Sequence, residues 1–314
     1  MIIEVRAKNC YAFEDNITFS MKADMRNKKF AANVHKENNF NVLKTVGIYG
    51  PNNAGKTCLI KCIRSIKNVL LNGKNGLMPN IFTESDVCEL GVTFMASGRK
   101  FSYDFKYDVK KEEYIYESFS EIFKDKYNNE KEVCWLKKDT IGEVYECVDE
   151  DVRAMIPVVS KNNLLCYVID TSKFKHINEM KQILVGFAKK IDIINMNNIP
   201  MQHTIELMKN TNQLQEKVVD FIKNADLYMD NFEFVDMDKI QLKVNEGDEK
   251  PEERVLDIPE NIMDQIRLVS TYKGVHVPSM LFDSTGTKKI AAIASYVIEA
   301  LEQGRILVVD ELDS

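Results

Sequence analysis

With 314 residues, 45% of them hydrophobic and 29% charged, the chain can bury a large core and is long enough for two domains or one large domain with insertions. Its net charge of −6 excludes a global basic field that would attract nucleic acid, no apolar run approaches a membrane span, and residues 1–8 lack the apolar stretch of a signal peptide. The seven cysteines form no C-x-x-C pair and are odd in number, which predicts free thiols in a reducing, cytoplasmic setting.

In chain order, residues 2–6 alternate and predict a strand. Tyr11, Phe13, Ile17, Phe19 and Met21, spaced by two or four, predict a second strand after a turn. Residues 26–41 are polar and rich in lysine and predict a loop over the segment that follows. The apolar run 45–49 then leads, as a strand, into Gly50-Pro51-Asn52-Asn53-Ala54-Gly55-Lys56-Thr57, and a helical pattern begins with Cys58. This is the phosphate-binding loop pattern G-x-x-x-x-G-K-[ST] in a strand–loop–helix context. Gly50 and Gly55 let the backbone turn tightly and approach phosphate oxygens. Successive N–H groups at a helix N-terminus make an anion cup, to which Lys56 adds a point charge and Thr57 a hydroxyl for Mg²⁺. Residues 50–58 are therefore the candidate nucleotide-binding segment.

Leu59, Ile60, Ile63, Ile66, Val69 and Leu70 make one apolar stripe, on a helix that Asn72-Gly73 stops. Cys58 and Cys62 lie on it four apart, a packing spacing, and Lys61, Arg64 and Lys67 form a solvated face. Residues 88–118 change to period two, with a hairpin turn at Ser97-Gly98, and residues 114–119 and 143–148 continue the antiparallel character. Phe101, Tyr103, Phe105 and Tyr107 read as one face of that sheet. From about Ser160 the period becomes helical: 176–194, 201–209 and 212–225 predict amphipathic helices, 232–236 and 239–244 a strand pair, and 246–254 a charged loop.

The closing segment carries further chemistry. Ser284, Gly286 and Thr287 stand at the N-terminus of a helix whose apolar residues include Ile290, Ile293, Val297 and Leu301 and which Gly304 caps. They form either a second anion site or a simple helix cap. Residues 305–311 predict a short apolar strand, central and parallel, ending in Asp310 and Glu311. Acids at that end sit where ligands bind in an α/β sheet. Asp310 fits a magnesium-holding aspartate, and Glu311 is the candidate base for an attacking water.

The order of loop, long insertion, serine–glycine segment, helix and Asp-Glu strand resembles that of ABC-type ATPase heads. Within that class the chain resembles the AAA-type ATPases grouped with the RecF, OLD and SMC proteins, above all the bacterial abortive-infection ATPases. Residues 1–21 resemble the family opening, 50–57 the Gly-x-Asn-x-x-Gly-Lys-Thr loop, 283–287 the Glu-Ser-x-Gly-Thr signature with Asp283 in place of Glu, and 308–314 the Walker B and D-loop start. The resemblance implies an α/β P-loop NTPase head with an antiparallel β subdomain and a helical insertion, divided as 1–155, 156–270 and 271–314. It implies ATP and Mg²⁺ as cofactors, hydrolysis through Lys56 and Glu311, and a homodimer that sandwiches ATP. In that dimer Ser284, Gly286 and Thr287 act in trans on nucleotide held by residues 50–57. Phage defence or DNA maintenance is the implied setting, with no membrane partner.

Three features depart from the pattern. Gln182, Gln202 and Gln241 are the candidates for the Q-loop glutamine, none in a persuasive context. The interval from Thr57 to Ser284 is too short for a long coiled coil. The chain stops at Ser314, just inside the D-loop, which predicts a partial head with an unfinished parallel sheet. Tyr11 and Phe13 are the candidates for adenine contact. A second reading is a slow ATP-dependent switch that binds DNA, a nuclease or another partner protein. A transporter subunit is disfavoured because the signature is not Leu-Ser-Gly-Gly-Gln.

Overall fold

The computed structural model describes residues 1–26, 29–38, 40–73, 76–209, 213–225, 228–235, 241–243, 253–255 and 259–312. The chain divides into two compact units, residues 1–193 and 194–314.

The first unit is built on strands β1 (Ile2–Lys8) and β2 (Ile17–Ser20), the hairpin β3 (Val34–Glu37) and β4 (Phe40–Leu43), and the long helix α1 (Lys56–Asn72). A meander follows: β5 (Val87–Ala96), β6 (Arg99–Asp108), β7 (Glu113–Lys124), β8 (Glu130–Asp139) and β9 (Val144–Cys147). Helices α2 (Glu150–Met155), α3 (Leu165–Val168) and α4 (Lys175–Lys189) complete it. Seven strands form one sheet in the order β2-β1-β5-β6-β7-β8-β9, antiparallel at every pairing. The predicted turn at Ser97-Gly98 closes the β5–β6 hairpin with both residues at positive φ, 49° and 74°, as a tight two-residue loop requires.

Alternation along the meander sends Phe94, Phe101, Tyr103, Phe105 and Phe119 into the core. Phe187 of α4 stacks on Phe94 with ring centroids 4.0 Å apart, and Phe101 stacks on Phe119 at 5.2 Å. The whole predicted stripe of α1 is buried. The helix stops at Gly73, left-handed at φ 70°, whose N–H returns to the Val69 carbonyl. Tyr114 and Tyr167 donate to the Gly73 and Leu70 carbonyls, tying sheet and α3 to the end of α1.

A glycine is needed at position 91 for a reason visible only in the fold. Gly91 of β5 lies opposite both Arg6 of β1 and Asp104 of β6. Arg6 spans it to reach the Asp104 carboxylate at 2.9 and 3.0 Å, and a Cβ at position 91 would lie 1.9 Å from Asp104 Oδ1. On the buried side, Glu117 of β7 accepts the Tyr103 hydroxyl at 3.1 Å and the Leu165 N–H at 2.9 Å. It stands opposite Lys138 of β8, whose buried ammonium has no hydrogen-bond partner among the described residues. Burial pushes the Glu117 carboxyl up and the Lys138 ammonium down, each countered by the other's charge. Glu117→Leu would strand a hydroxyl, an N–H and a buried cation together. It should cost about 3–5 kcal/mol in chemical denaturation; a change under about 1 kcal/mol would show the pair to be energetically idle.

Three expectations in this unit change. Residues 26–41, expected as a loop, contain a 3₁₀ turn (Ala31–Asn33) and the β3–β4 hairpin, whose β4 end bridges Val42 to Lys22. The strand expected at 45–49 does not form. Among the described residues it has no ladder partner, and Ile48 is 45% and Tyr49 92% exposed. An apolar run cannot be a strand without a neighbour to take its hydrogen bonds. The helix expected at 176–194 ends at Lys189 and gives way to a strand, β10 (Ile191–Asn195). The β-branched run Ile191-Asp-Ile-Ile favours pairing over helix once a partner strand exists.

The second unit holds α5 (Gln202–Lys209), α6 (Gln213–Asn224), β11 (Asn231–Phe234), β12 (Gln241–Lys243), β13 (Glu253–Val255) and α7 (Glu260–Arg267). It continues with the hairpin β14 (Leu268–Tyr272) and β15 (Val275–Pro278), then α8 (Ser279–Phe282), α9 (Thr285–Gln303) and β16 (Ile306–Asp310). Strands β11, β14 and β15 form an antiparallel sheet. Ile205, Met208, Val218, Ile222, Phe232, Leu268, Ala294 and Ile298 make one core between that sheet and α5, α6 and α9. Thr204 fixes α5 on α9 by donating to the Ala291 carbonyl at 3.0 Å, with Ser295 Oγ at 2.9 Å. The β14–β15 hairpin falls where no element was expected, and β12 pairs with β13, part of the expected charged loop. The rest of that loop, and Asp313 and Ser314, lie outside the described residues.

Strand β16 was expected as a central parallel strand covered on both faces. All five of its residues are half-buried instead, and its described sheet partner is β10. A two-stranded sheet leaves its edges and part of its faces uncovered, so burial stops midway.

Candidate functional site

The phosphate-loop segment lies in the first unit. A turn closes at its start, with the Ala54 N–H donating to the Pro51 carbonyl at 3.3 Å and Asn53 left-handed at φ 64°, a conformation asparagine tolerates. Gly55, at φ 89°, turns the chain into α1. A side chain there would be strained by that φ, and its Cβ would meet the Phe13 ring at 3.0 Å. Lys56 curls back so that Nζ donates to the Gly50 and Pro51 carbonyls at 2.6 and 2.9 Å. The ammonium thus sits inside the loop's own curve.

No side chain caps α1, and its first turn carries no acid. The positive end of the helix dipole lies at Lys56-Thr57, where it favours an anion. Gly50, Pro51, Asn52, Asn53 and Ala54 are exposed, so a phosphate reaches the loop without displacing core residues. Cys58, the last residue of the candidate segment, is half-buried on α1.

Tyr11 is tied to α1 through its hydroxyl. Its backbone is left-handed at φ 53°, and its hydroxyl lies 2.8 Å from Ser65 Oγ of α1 and donates to the Gly76 carbonyl at 2.9 Å. Lys61 lies over its ring at 5.7 Å. Burial is the first cause raising its pKa. Tyr11 buttresses α1 from one side, while Phe13 packs on Gly55 at the loop's end.

In the second unit, β16 delivers Asp310 and then Glu311, which is exposed with its backbone left-handed at φ 61°. Asn197 donates from Nδ2 to Glu311 Oε2 at 3.0 Å. Asn197 was missed by sequence reasoning. The available signal was the Asn195-Met-Asn-Asn run directly after an apolar strand. The glutamine candidates lie elsewhere: Gln182 is exposed on α4, Gln202 binds Glu206 of its own helix at 3.0 Å, and the side chain of Gln241 is outside the described set.

The serine–glycine segment takes the form of a helix cap. Ser284 Oγ accepts the Thr287 N–H at 3.1 Å and lies 2.9 Å from Thr287 Oγ1. Among the described residues an added Cβ at Gly286 would meet only Ser284 Oγ, at 3.8 Å. Asp283 is the buried anchor beneath them. Its Oδ2 accepts the Ser270 and Ser279 hydroxyls at 2.6 and 2.5 Å, and its Oδ1 accepts the Tyr272 hydroxyl at 2.7 Å. Burial first, then the bond to that carboxylate, pushes the Tyr272 phenol up to about 12. Three hydroxyls from β14 and α8 therefore converge on the residue preceding the cap. Asp283→Ala removes the common acceptor and should lower stability by about 3 kcal/mol or more, read as a shift in denaturation midpoint. An unchanged midpoint would mean that the hydroxyls find other acceptors at no cost.

The residues present fit ATP and Mg²⁺. In the first unit the curled loop at the start of α1 suits a phosphate, and the Thr57 hydroxyl is a hard oxygen donor of the kind magnesium takes; in the second unit the Asp310 carboxylate is another. Among the described residues no group of three or more His, Cys, Asp or Glu forms a metal cluster, and no helix is long and apolar enough to cross a membrane.

No family model and no curated protein matches the chain. One of the solved structures that match is the SMC head domain from Thermotoga maritima, 11% identical, with a TM-score of 0.39 over 100% of this chain and 78% of that one. So low a TM-score leaves the function to rest on this chain's own residues.

Proposed function

We propose that the chain is the ATP-binding and ATP-hydrolysing head of a RecF/OLD/abortive-infection type ATPase. The observation that carries this reading is the loop 50–57, curled around the Lys56 ammonium at the uncapped N-terminus of α1. Loop N–H groups and Lys56 take the phosphates, and Thr57 and Asp310 hold Mg²⁺. That ion, when bound, neutralises charge on the phosphate oxygens. Glu311 orients and deprotonates the attacking water.

Dimerisation is part of the proposal. Ser284, Gly286 and Thr287 of one copy meet the γ-phosphate held by residues 50–57 of another. Two observations support it: among the described residues a Cβ at Gly286 would meet only Ser284 Oγ, and Met280, Leu281 and Phe282, just before the segment, are exposed apolar residues. ATP then favours the paired state and hydrolysis the open one. The resemblance of the motifs supports a cytoplasmic role in phage defence or DNA maintenance, and the division 1–155, 156–270 and 271–314.

Titration calorimetry with Mg·ATP, paired with a phosphate-release assay, tests the reading. Saturable binding that EDTA weakens, together with steady release, is the expected result. A chain that is folded by circular dichroism yet binds no ATP would overturn it.

A further inference from the structure

We infer that Asn197 is a positioning residue for Glu311, an inference that rests on the ATPase reading of that acid. Strands β10 and β16 are sheet neighbours, and each ends in a short polar turn: Asn195 to Asn198 after β10, Asp310-Glu311 after β16. The first turn is locally built. The Asn195 side chain accepts the Asn197 N–H at 2.9 Å and sets the 3₁₀ turn Met196–Asn198. That turn carries the Asn197 amide to Glu311, where Nδ2 donates to Oε2 at 3.0 Å.

The acid at the other end is held in an unusual way. A left-handed backbone at a non-glycine residue costs on the order of 1 kcal/mol and persists where its surroundings fix it. Glu311 adopts it immediately after the strand, at φ 61°. The Asn197 amide is a neutral donor, so it orients the carboxylate without adding a charge to a site that must also accommodate triphosphate and metal. Asn197 is exposed and contributes nothing to the core. Its hydrogen bond is thus the main thing a substitution removes. It orients the acid and touches no reacting atom, which makes it a positioning residue.

The test uses the full chain. Asn197→Ala should lower kcat for ATP hydrolysis roughly tenfold, because misaiming a base by about an ångström costs ten- to a hundredfold. The KM for ATP should change less than about twofold, since the phosphate cradle is untouched. Asn197→Asp keeps the size and shape of the side chain but sets a carboxylate against a carboxylate, and should lose at least as much. In a Glu311→Gln background, single-turnover hydrolysis should show no further loss from Asn197→Ala, because both changes act through one group. Wild-type kcat in either Asn197 variant would overturn the inference, as would a further tenfold loss in the Glu311→Gln background. If Glu311→Gln itself hydrolyses ATP at the wild-type rate, the role of Glu311 fails and this inference fails with it. A fall in Glu311→Gln alone would refute only Asn197.

Discussion

Lys56→Ala is expected to abolish Mg·ATP binding at concentrations that saturate the wild-type chain. The Lys56 ammonium lies between the Gly50 and Pro51 carbonyls, inside the loop. Two unit charges 4 Å apart near a protein surface attract by about 4 kcal/mol, which corresponds to roughly three orders of magnitude in Kd. Alanine removes that attraction and also frees the two carbonyls, which then face the phosphates as acceptors against acceptors. The variant should remain folded, because Lys56 is half-buried at the first position of α1 and the buried stripe begins at Leu59. Titration calorimetry reads the loss directly. Binding within about threefold of wild type would contradict the assignment of residues 50–57 as the phosphate cradle.

The second large effect is at Glu311. Glu311→Gln should keep ATP binding intact and cut hydrolysis by about 10²–10⁴-fold, the range a general base supplies. Glutamine keeps the shape of the side chain and an oxygen to accept from Asn197, but no longer takes a proton from water. With hydrolysis blocked and ATP retained, the variant should accumulate as the ATP-bound dimer, visible by light scattering coupled to size exclusion. The two readouts separate the claims. Slow hydrolysis without a dimer removes the sandwich and leaves the base. Undiminished hydrolysis removes Glu311 from the chemistry.

How much of this was legible beforehand differs from element to element. The extent of α1 was readable to within two residues because its limits are local: Gly55 and Gly73 are both left-handed, and the apolar spacing between them is helical. The Ser97-Gly98 turn and the Ser284 cap were readable for the same reason, since each depends on residues three or fewer positions away. The strand at 45–49 was misjudged because apolar, β-branched residues permit a strand but do not supply its partner. The expected helix 176–194 overruns α4 because Ile191-Asp-Ile-Ile continues its apolar spacing, and pairing with β16 makes that run β10 instead. The β14–β15 hairpin was missed because α7 stops directly before it with no glycine or proline to mark the change.

The sequence by itself determined the chemistry on offer: a glycine-framed loop ending in Lys56-Thr57, a strand ending in Asp310-Glu311, and a serine-capped helix between them in chain order. Those are short-range facts, set by φ preferences, helical spacing and capping. Only the tertiary structure decided which side chains hold that chemistry in place. Gly91 leaves room for the Arg6–Asp104 bridge, Asp283 gathers three hydroxyls beneath the cap, Tyr11 braces α1, and Asn197 reaches Glu311. Each joins residues brought together by strand pairing or core packing, and no local pattern encodes a partner that folding alone brings within 3 Å.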